Sequence, residues 1–321
     1  MSGIGENSGE HLAEDSSLDF PEPPEKPLDS DCCGSGCVPC VFDIYDEEMA
    51  KWRLECDRIK SGKSILEDLP DGSFEQVLST SEFRCFELES ITRMTDDSCI
   101  YRFKIPGNRK LGIKVGQHLI MRGKFDGRHI TRQYTPISPV DGRGFFDVLI
   151  KVYLNGKMSQ HIKTWQVGDM IEWRGPFGKF SYSPNQYRRI GMLAAGTGIA
   201  PMLQVIQDIV TNEDDETFIQ LVYSSRTYDD ILMKDTLDEC KAYWNFSVLY
   251  VLSQESKAGQ SKVKYRDHMS YGRIDQELVS REMPQPSRDV HVLICGTKSF
   301  DKDMIKYLKA AGYTSDMYYK F

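Results

Sequence analysis

The hydrophobic period of this chain changes once, near residue 189, and that change restricts the fold more than any other feature. Between 81 and 182, short runs alternate apolar and polar residues, at 83–91, 100–105, 118–123, 144–152 and 170–174. A period of two places one face of a strand in a core and the other in water. Turn-formers such as Pro106-Gly107-Asn108 and Asp126-Gly127 separate the runs. Strands this short and this closely spaced predict a small antiparallel barrel. One helix, at 157–165 after Asn155-Gly156, interrupts them. Beyond 189, apolar strands at 190–194, 218–223, 246–252 and 291–294 alternate with helical stretches at 200–211, 230–244 and 299–311. That alternation predicts a doubly wound parallel sheet. The chain divides into domains at 80–184 and 185–321, and 321 residues suffice for both to bury a core.

The first 79 residues differ in kind. Residues 1–28 are acidic and end in Pro21-Glu-Pro-Pro-Glu-Lys-Pro27, a composition too polar to offset the cost of ordering, so disorder is predicted. A cysteine-rich module follows at 29–60, with a helix expected over 46–60, and then a linker at 61–79. The net charge of −8 sits at the start, where residues 1–31 hold nine acids and one lysine. Residues 100–132 carry nine Lys/Arg and one acid, Asp126. Such a run is either a solvated face or a surface that steers an acidic partner. Nothing calls for nucleic acid. No run approaches the ~18 apolar residues of a membrane helix, so no span is expected. There is no secretory h-region and no arginine in residues 1–31, so the expected compartment is the cytoplasm, with the mitochondrion left open.

Three segments carry chemistry. In Arg132-Gln-Tyr-Thr-Pro-Ile-Ser138, a strand would point Arg132, Tyr134 and Pro136 together, with the Ser138 hydroxyl near its end. A guanidinium grips phosphate bidentately, and a tyrosine ring can lie on a flat cofactor. An exposed arginine beside a packed tyrosine fits the same pattern. Gly196-Thr197-Gly198 follows an apolar strand and opens a helix, the context in which glycines admit a pyrophosphate to amide donors. A plain strand–helix turn is the alternative, since Pro201 stands where a dinucleotide fingerprint has its third glycine. Cys295-Gly296 ends a buried strand at the carboxyl edge, where open α/β sheets bind ligands. A small buried hydrophobe is the commoner fate of a free cysteine.

Taken together, the segments resemble the ferredoxin–NADP reductase superfamily, and most closely the NADH–cytochrome b5 reductases. The resemblance spans roughly 80–321. It rests on Val115-Gly-Gln-His118, Arg132-x-Tyr-Thr-Pro-Ile-Ser138, Ile150-Lys-Val-Tyr153, Gly156-Lys-Met-Ser-Gln160, Gly175-Pro-Phe-Gly178, Gly196-Thr-Gly-Ile-Ala-Pro-Met-Leu-Gln204, Cys295-Gly296 and the terminal Phe321. It implies a fold of class β + α/β, an antiparallel six-stranded FAD-binding barrel followed by a doubly wound parallel-sheet nicotinamide-binding domain. By the same resemblance Arg132, Tyr134, Thr135 and Ser138 hold the flavin and its phosphates. Lys151 and Tyr153 lie along the cofactor. Gly156, Lys157, Met158 and Ser159 present a helix start to the pyrophosphate. Gly196, Thr197, Gly198, Cys295 and Gly296 serve the nicotinamide nucleotide, with Thr197, Cys295 and Lys151 nearest the chemistry. The implied activity passes electrons from NADH or NADPH through FAD to a small one-electron acceptor, an acidic haem protein such as cytochrome b5. Ferric chelates, quinones or an oxygenase component remain alternative acceptors. A non-enzymatic metal-binding assembly protein is the alternative outside enzymology.

The sequence departs from the family in three places. Gln133 stands where proline is usual. Thr297-Lys298 replaces the usual pair of prolines after Cys295-Gly296. Ser253 stands where NADH-preferring members often carry an aspartate, and Arg226 and Lys257 are close by in sequence, so a weak NADH preference is expected. The module at 24–52 resembles a short oxidoreductase-like N-terminal domain. Its Cys32, Cys33, Cys37 and Cys40 suit Zn²⁺ or an iron–sulfur cluster, although adjacent Cys32-Cys33 fit one tetrahedral ion poorly. A reduced, thiol-rich loop is the alternative.

Overall fold

The computed structural model describes residues 20–29, 32, 39–61, 76–256 and 262–321. Helix α1, Val41–Ser61, comes first. It starts at Val41 rather than 46 because the Asp43 carboxylate accepts the Cys40 N–H at 2.7 Å, a capping contact the sequence reading passed over. Residues 20–28 carry no regular element. Trp52 Nε1 donates to the Pro21 carbonyl at 2.7 Å, and Glu25 pairs with Arg128. Residues 1–19 lie outside the described residues, as does most of the expected linker. The end of that linker is not loose, since Leu78 is buried and the Ser79 carbonyl accepts the Gly175 N–H.

Six antiparallel strands follow: β1 (Arg84–Arg93), β2 (Ser98–Lys104), β3 (His118–Phe125), β4 (Arg128–Tyr134), β5 (Phe145–Lys151) and β6 (Met170–Phe177), with α2 (Lys157–Ile162) before β6. Their order is β4-β3-β6-β1-β2-β5. The sheet curls back on itself beyond β4, where Pro136 bridges Val148 of β5 and the Ile137 N–H donates to the Asp147 carbonyl. Phe103, Phe146 and Trp173 fill the interior with centroids 5.1–5.6 Å apart. Strand β4 ends at Tyr134, so Ser138 does not extend the face of Arg132. It turns inward, and its Oγ accepts the Asp147 N–H at 3.2 Å.

The second half builds a parallel sheet from β7 (Arg189–Ala195), β8 (Phe218–Ser225), β9 (Phe246–Leu252), β10 (Met269–Tyr271), β11 (Val290–Cys295) and β12 (Tyr318–Lys320), in the order β10-β9-β8-β7-β11-β12. Helices α3 (Ile199–Val210) and α4 (Lys234–Cys240) pack on one face, and α5 (Gln276–Glu282) and α6 (Lys298–Ala310) on the other. Both faces are covered, which is why β7 and β11 are almost wholly apolar. Helix α4 is shorter than the expected 230–244. Thr227 and Asp230 form a capping box around a separate single turn, and Met233 takes a left-handed φ of 57°.

One buried side chain locks the halves together. Gln204 of α3 accepts the Gly116 N–H at 2.8 Å and donates to the Pro136 carbonyl at 2.9 Å. Helix α3 is thereby fixed against the loop that follows β4.

Candidate active site

A cavity of about 720 Å³ lies between the barrel and the parallel sheet. Fourteen of the fifteen cofactor-binding positions expected from the sequence line it: Arg132, Tyr134, Thr135, Lys151, Tyr153, Gly156, Lys157, Met158, Ser159, Gly196, Thr197, Gly198, Cys295 and Gly296. The exception is Ser138, whose hydroxyl is spent on closing the barrel.

Strand direction explains the convergence. The carboxyl ends of β7, β8 and β11 all point at the cavity, because parallel strands share one exit edge. At that edge Gly196 has φ +55° and nothing within 4 Å of where a Cβ would stand. Its backbone is open to a close ligand. Gly198 has a different purpose. A Cβ there would meet the Cys295 carbonyl oxygen at 2.1 Å, so glycine is what lets the turn pack on the end of β11. The Tyr223 hydroxyl donates to the Gly196 carbonyl at 2.9 Å and braces the turn from below.

Charges line the opposite wall. Asp97, in the turn between β1 and β2, pairs with Lys151 at 2.9 Å and with Arg226 at 2.8 Å. Burial alone would raise the Asp97 pKa. The hydrogen bonds and charges from Lys151, Ser98 and Thr95 outweigh it and bring it down to about 2. Arg226 also grips Asp230 at 2.7 Å. The arginine singled out for a 2′-phosphate is therefore held by two carboxylates. Lys257 lies outside the described residues. Ser253 lines the cavity and donates its hydroxyl to the Ser225 carbonyl at 3.2 Å.

Burial pushes the Cys295 thiol up to about 12, so it meets a ligand as a neutral, polarisable group and not as a thiolate. Burial also lifts Asp301 to about 6 and lowers His118 to about 4. Asp301 Oδ1, His118 Nε2 and Ser225 Oγ are buried without a hydrogen-bond partner, and all three residues line the cavity. Buried polar atoms are rarely left unpaired, so these three mark places where a polar ligand completes the structure. With Arg132 and Lys157 as cations and Gly196 as an open backbone approach, the lining fits FAD and a nicotinamide nucleotide.

Sequence reasoning missed several lining residues. Asp97, Asp230 and Asp301 belong to no spaced motif. Tyr319 and Lys320 arrive through β12, a three-residue strand with too little pattern to recognise, and bring the terminal Phe321 with them. Pro39, Val41 and Ile44 come from the N-terminal module and also line the cavity. Of the four candidate metal ligands, Cys33 and Cys37 lie outside the described residues. Cys32 and Cys40 place their sulfurs 3.9 Å apart, and no group of three or more metal-ligating side chains occurs among the described residues. No helix among those residues is long and apolar enough to cross a membrane.

Comparison with known proteins agrees with this geometry. The oxidoreductase FAD-binding domain matches residues 85–182, the oxidoreductase NAD-binding domain residues 192–306, and the N-terminal oxidoreductase-like domain residues 18–61. The chain is 44% identical over 301 residues to the NADH-cytochrome b5 reductase-like protein of Mus musculus, covering 93% of this chain and 95% of that one. It is 39% identical over 249 residues to NADH-cytochrome b5 reductase 1 of Dictyostelium discoideum, covering 77% and 84% respectively. Among solved structures, the cytochrome b5 reductase domain of Ulva prolifera nitrate reductase superposes with a TM-score of 0.69 at 26% identity, over 77% of this chain and all of that one. The chain thus belongs to the NADH-cytochrome b5 reductase family and is an NADH-dependent flavoprotein oxidoreductase.

Proposed function

We propose that this enzyme takes two electrons from NADH through FAD and delivers them singly to a small acidic haem protein of the cytochrome b5 kind. The observation that carries the reading is a single cavity that joins the Arg132–Thr135 clamp of the barrel to the Gly196–Gly198 turn and Cys295 of the parallel sheet. Held by these residues, FAD would supply the two-electron to one-electron redox chemistry between NADH and the acceptor. The protein's part is placement. Arg132 and Lys157 bind phosphate charge, Tyr134 and Thr135 border the ring, and Gly196 admits the second nucleotide. Thr197 and Cys295 line the cavity at the carboxyl edge of the parallel sheet and would border a bound nicotinamide nucleotide. Lys151, oriented by Asp97, fixes the strand end beside them.

Arg226 supports NADH over NADPH, since its charge is already balanced by Asp97 and Asp230. The basic run at 100–132 supports an acidic partner less broadly than its composition promised. Arg102, Lys104, Arg122 and Arg128 are paired with Asp147, Glu87, Glu172 and Glu25. Lys110, Lys114 and Lys124 form no ion pair among the described residues and are the better candidates for steering.

Anaerobic stopped-flow mixing with NADH, followed by cytochrome b5, tests the proposal. Flavin bleaching by NADH and haem reduction that slows as salt is raised are expected. Bleaching without haem reduction would move the acceptor to a ferric chelate, a quinone or an oxygenase component. Absence of bound flavin would reject the enzyme reading in favour of an assembly role.

A structural zinc at the cysteines has one supporting observation. Two sulfurs at about 2.3 Å from a tetrahedral ion stand about 3.8 Å apart, close to the 3.9 Å between Cys32 and Cys40. That is far beyond a disulfide bond. Metal analysis of the protein against a Cys40→Ser variant decides it, and the absence of zinc from both would dismiss it. The same chemistry is compatible with cytoplasm or mitochondrion.

A further inference from the structure

We infer that residues 39–44 of the N-terminal module form one wall of the FAD cleft, so that the module is part of the cofactor site. The inference rests on FAD occupying the cavity described above. Strand β4 lies at the edge of its sheet order and borders the cavity. Its residues alternate in direction. Arg132 and Tyr134 pair with Met121 and Leu119 on one face of the strand, and side chains of both faces border the cavity at this edge, Arg132 and Tyr134 from one and Gln133 and Ile120 from the other. Gln133 pairs with Ile120, and Ile120 pairs in turn with Arg174, which sets these three on the outer face.

Helix α1 and the residues before it cover that outer face. Gln133 Nε2 donates to the Pro39 carbonyl at 3.0 Å. The proline usual at this position in the family has no such donor. Ile44 is 4% exposed and Ile120 is fully buried. Arg174 is fully buried as well, and Glu47 of α1 reaches it at 3.2 Å. Its guanidinium also lies 5.4 Å from the rings of Phe83 and Phe177, with Nε and Nη1 unpaired. A buried guanidinium needs a counter-charge, and α1 provides it. The module is therefore fastened at Gln133–Pro39 and at Arg174–Glu47, with Lys51 Nζ donating to the Ser81 carbonyl as a further tie.

Between those points Pro39, Val41 and Ile44 line the same cavity as Arg132, Tyr134 and Thr135. Their side chains are apolar, so this wall suits a ring system or its methyl edge and not a phosphate. It removes water from that side of the cofactor and hinders its escape. The module thus links cofactor retention to the integrity of the N-terminal segment, which neither the barrel nor the nucleotide domain requires by itself.

The experiment uses the full-length holoenzyme and follows FAD itself. Flavin release after dilution is read by fluorescence recovery, and exposure of the bound flavin by iodide quenching. A Val41→Ala/Ile44→Ala variant is expected to release FAD about tenfold faster and to quench more readily. Glu47→Gln, which unfastens α1 without changing the wall, is expected to do the same to a smaller degree. Leu54→Ala, on the exposed side of α1, is the control and should match the parent. If the double variant does not fold, Glu47→Gln alone carries the test. Release and quenching within twofold of the parent in the folded variants would overturn the inference. A parent protein that binds no FAD would instead overturn the reading of the cavity on which it rests.

Discussion

Asp301 shows how the tertiary environment changes an ordinary residue. Its carboxyl is pushed up to about 6 by burial, against 3.8 for an unperturbed side chain. The native state therefore keeps this proton at a pH where the unfolded chain has lost it, so the group costs stability as pH rises through that window. Asp301→Asn removes the cost. Calorimetry of the variant beside the parent should show a gap in its favour that opens between about pH 4 and pH 6 and is level above pH 7. It should amount to about 1 kcal/mol once solvent screening is discounted. An equal gap at pH 4 and pH 8 would mean that packing, not charge, is responsible. Asp230 acts on selectivity. With Asp97 it neutralises Arg226 at the cavity. Asp230→Asn frees part of that positive charge for a 2′-phosphate. The ratio of kcat/KM for NADPH to that for NADH should rise about tenfold, equivalent to about 1.4 kcal/mol. A ratio that does not move would place the ribose away from Arg226.

At the scale of elements, the turn from β7 into α3 is the most demanding piece. Glycine at 196 leaves the backbone open, while glycine at 198 keeps a 2.1 Å collision with the Cys295 carbonyl from arising. Gly198→Ala must push β7 and β11 apart at their carboxyl ends. A stability loss of about 1–3 kcal/mol is expected, as for overpacking elsewhere, together with a higher KM for NADH. Gly196→Ala meets no neighbour in the protein but must hold a left-handed backbone, so it should cost about 1 kcal/mol. Denaturant titration of both variants tests the distinction. Equal losses with equal effects on KM would contradict it. Gly196-Thr-Gly198 announces a tight turn in the sequence, but it does not say which glycine serves the ligand and which serves the packing.

At the scale of the whole molecule, the two halves depend on Gln204. Its amide holds the Gly116 N–H and the Pro136 carbonyl in a buried setting. Gln204→Ala leaves both groups unpaired, and each such loss costs about 1–3 kcal/mol. Because the clamp spans the cleft, the expected result is earlier loss of the domain contact than of either core. Thermal unfolding should broaden or split, and FAD binding should weaken. A single sharp transition at the parental temperature would show that the clamp is dispensable.

Sequence alone determined the class of each domain, because periodicity is a local consequence of which face of an element must leave water. It also located the glycine turns and the cationic clamp of the cavity, since Arg132 to Thr135, Gly156 to Ser159, Gly196 to Gly198 and Cys295-Gly296 each carry their signal in a few consecutive residues. Three kinds of fact had no local signal. Ser138 follows Tyr134 by four residues, yet the end of β4 turns its hydroxyl away from the cavity. Asp97 meets Arg226 across 129 residues, a pairing that no local pattern announces. Ile44 reaches the cavity from a segment that composition sets apart from both domains. Each depends on long-range contacts between segments whose residues look ordinary until the chain folds. The chemistry available was written in local pattern; the use made of each group was decided by what packed against it.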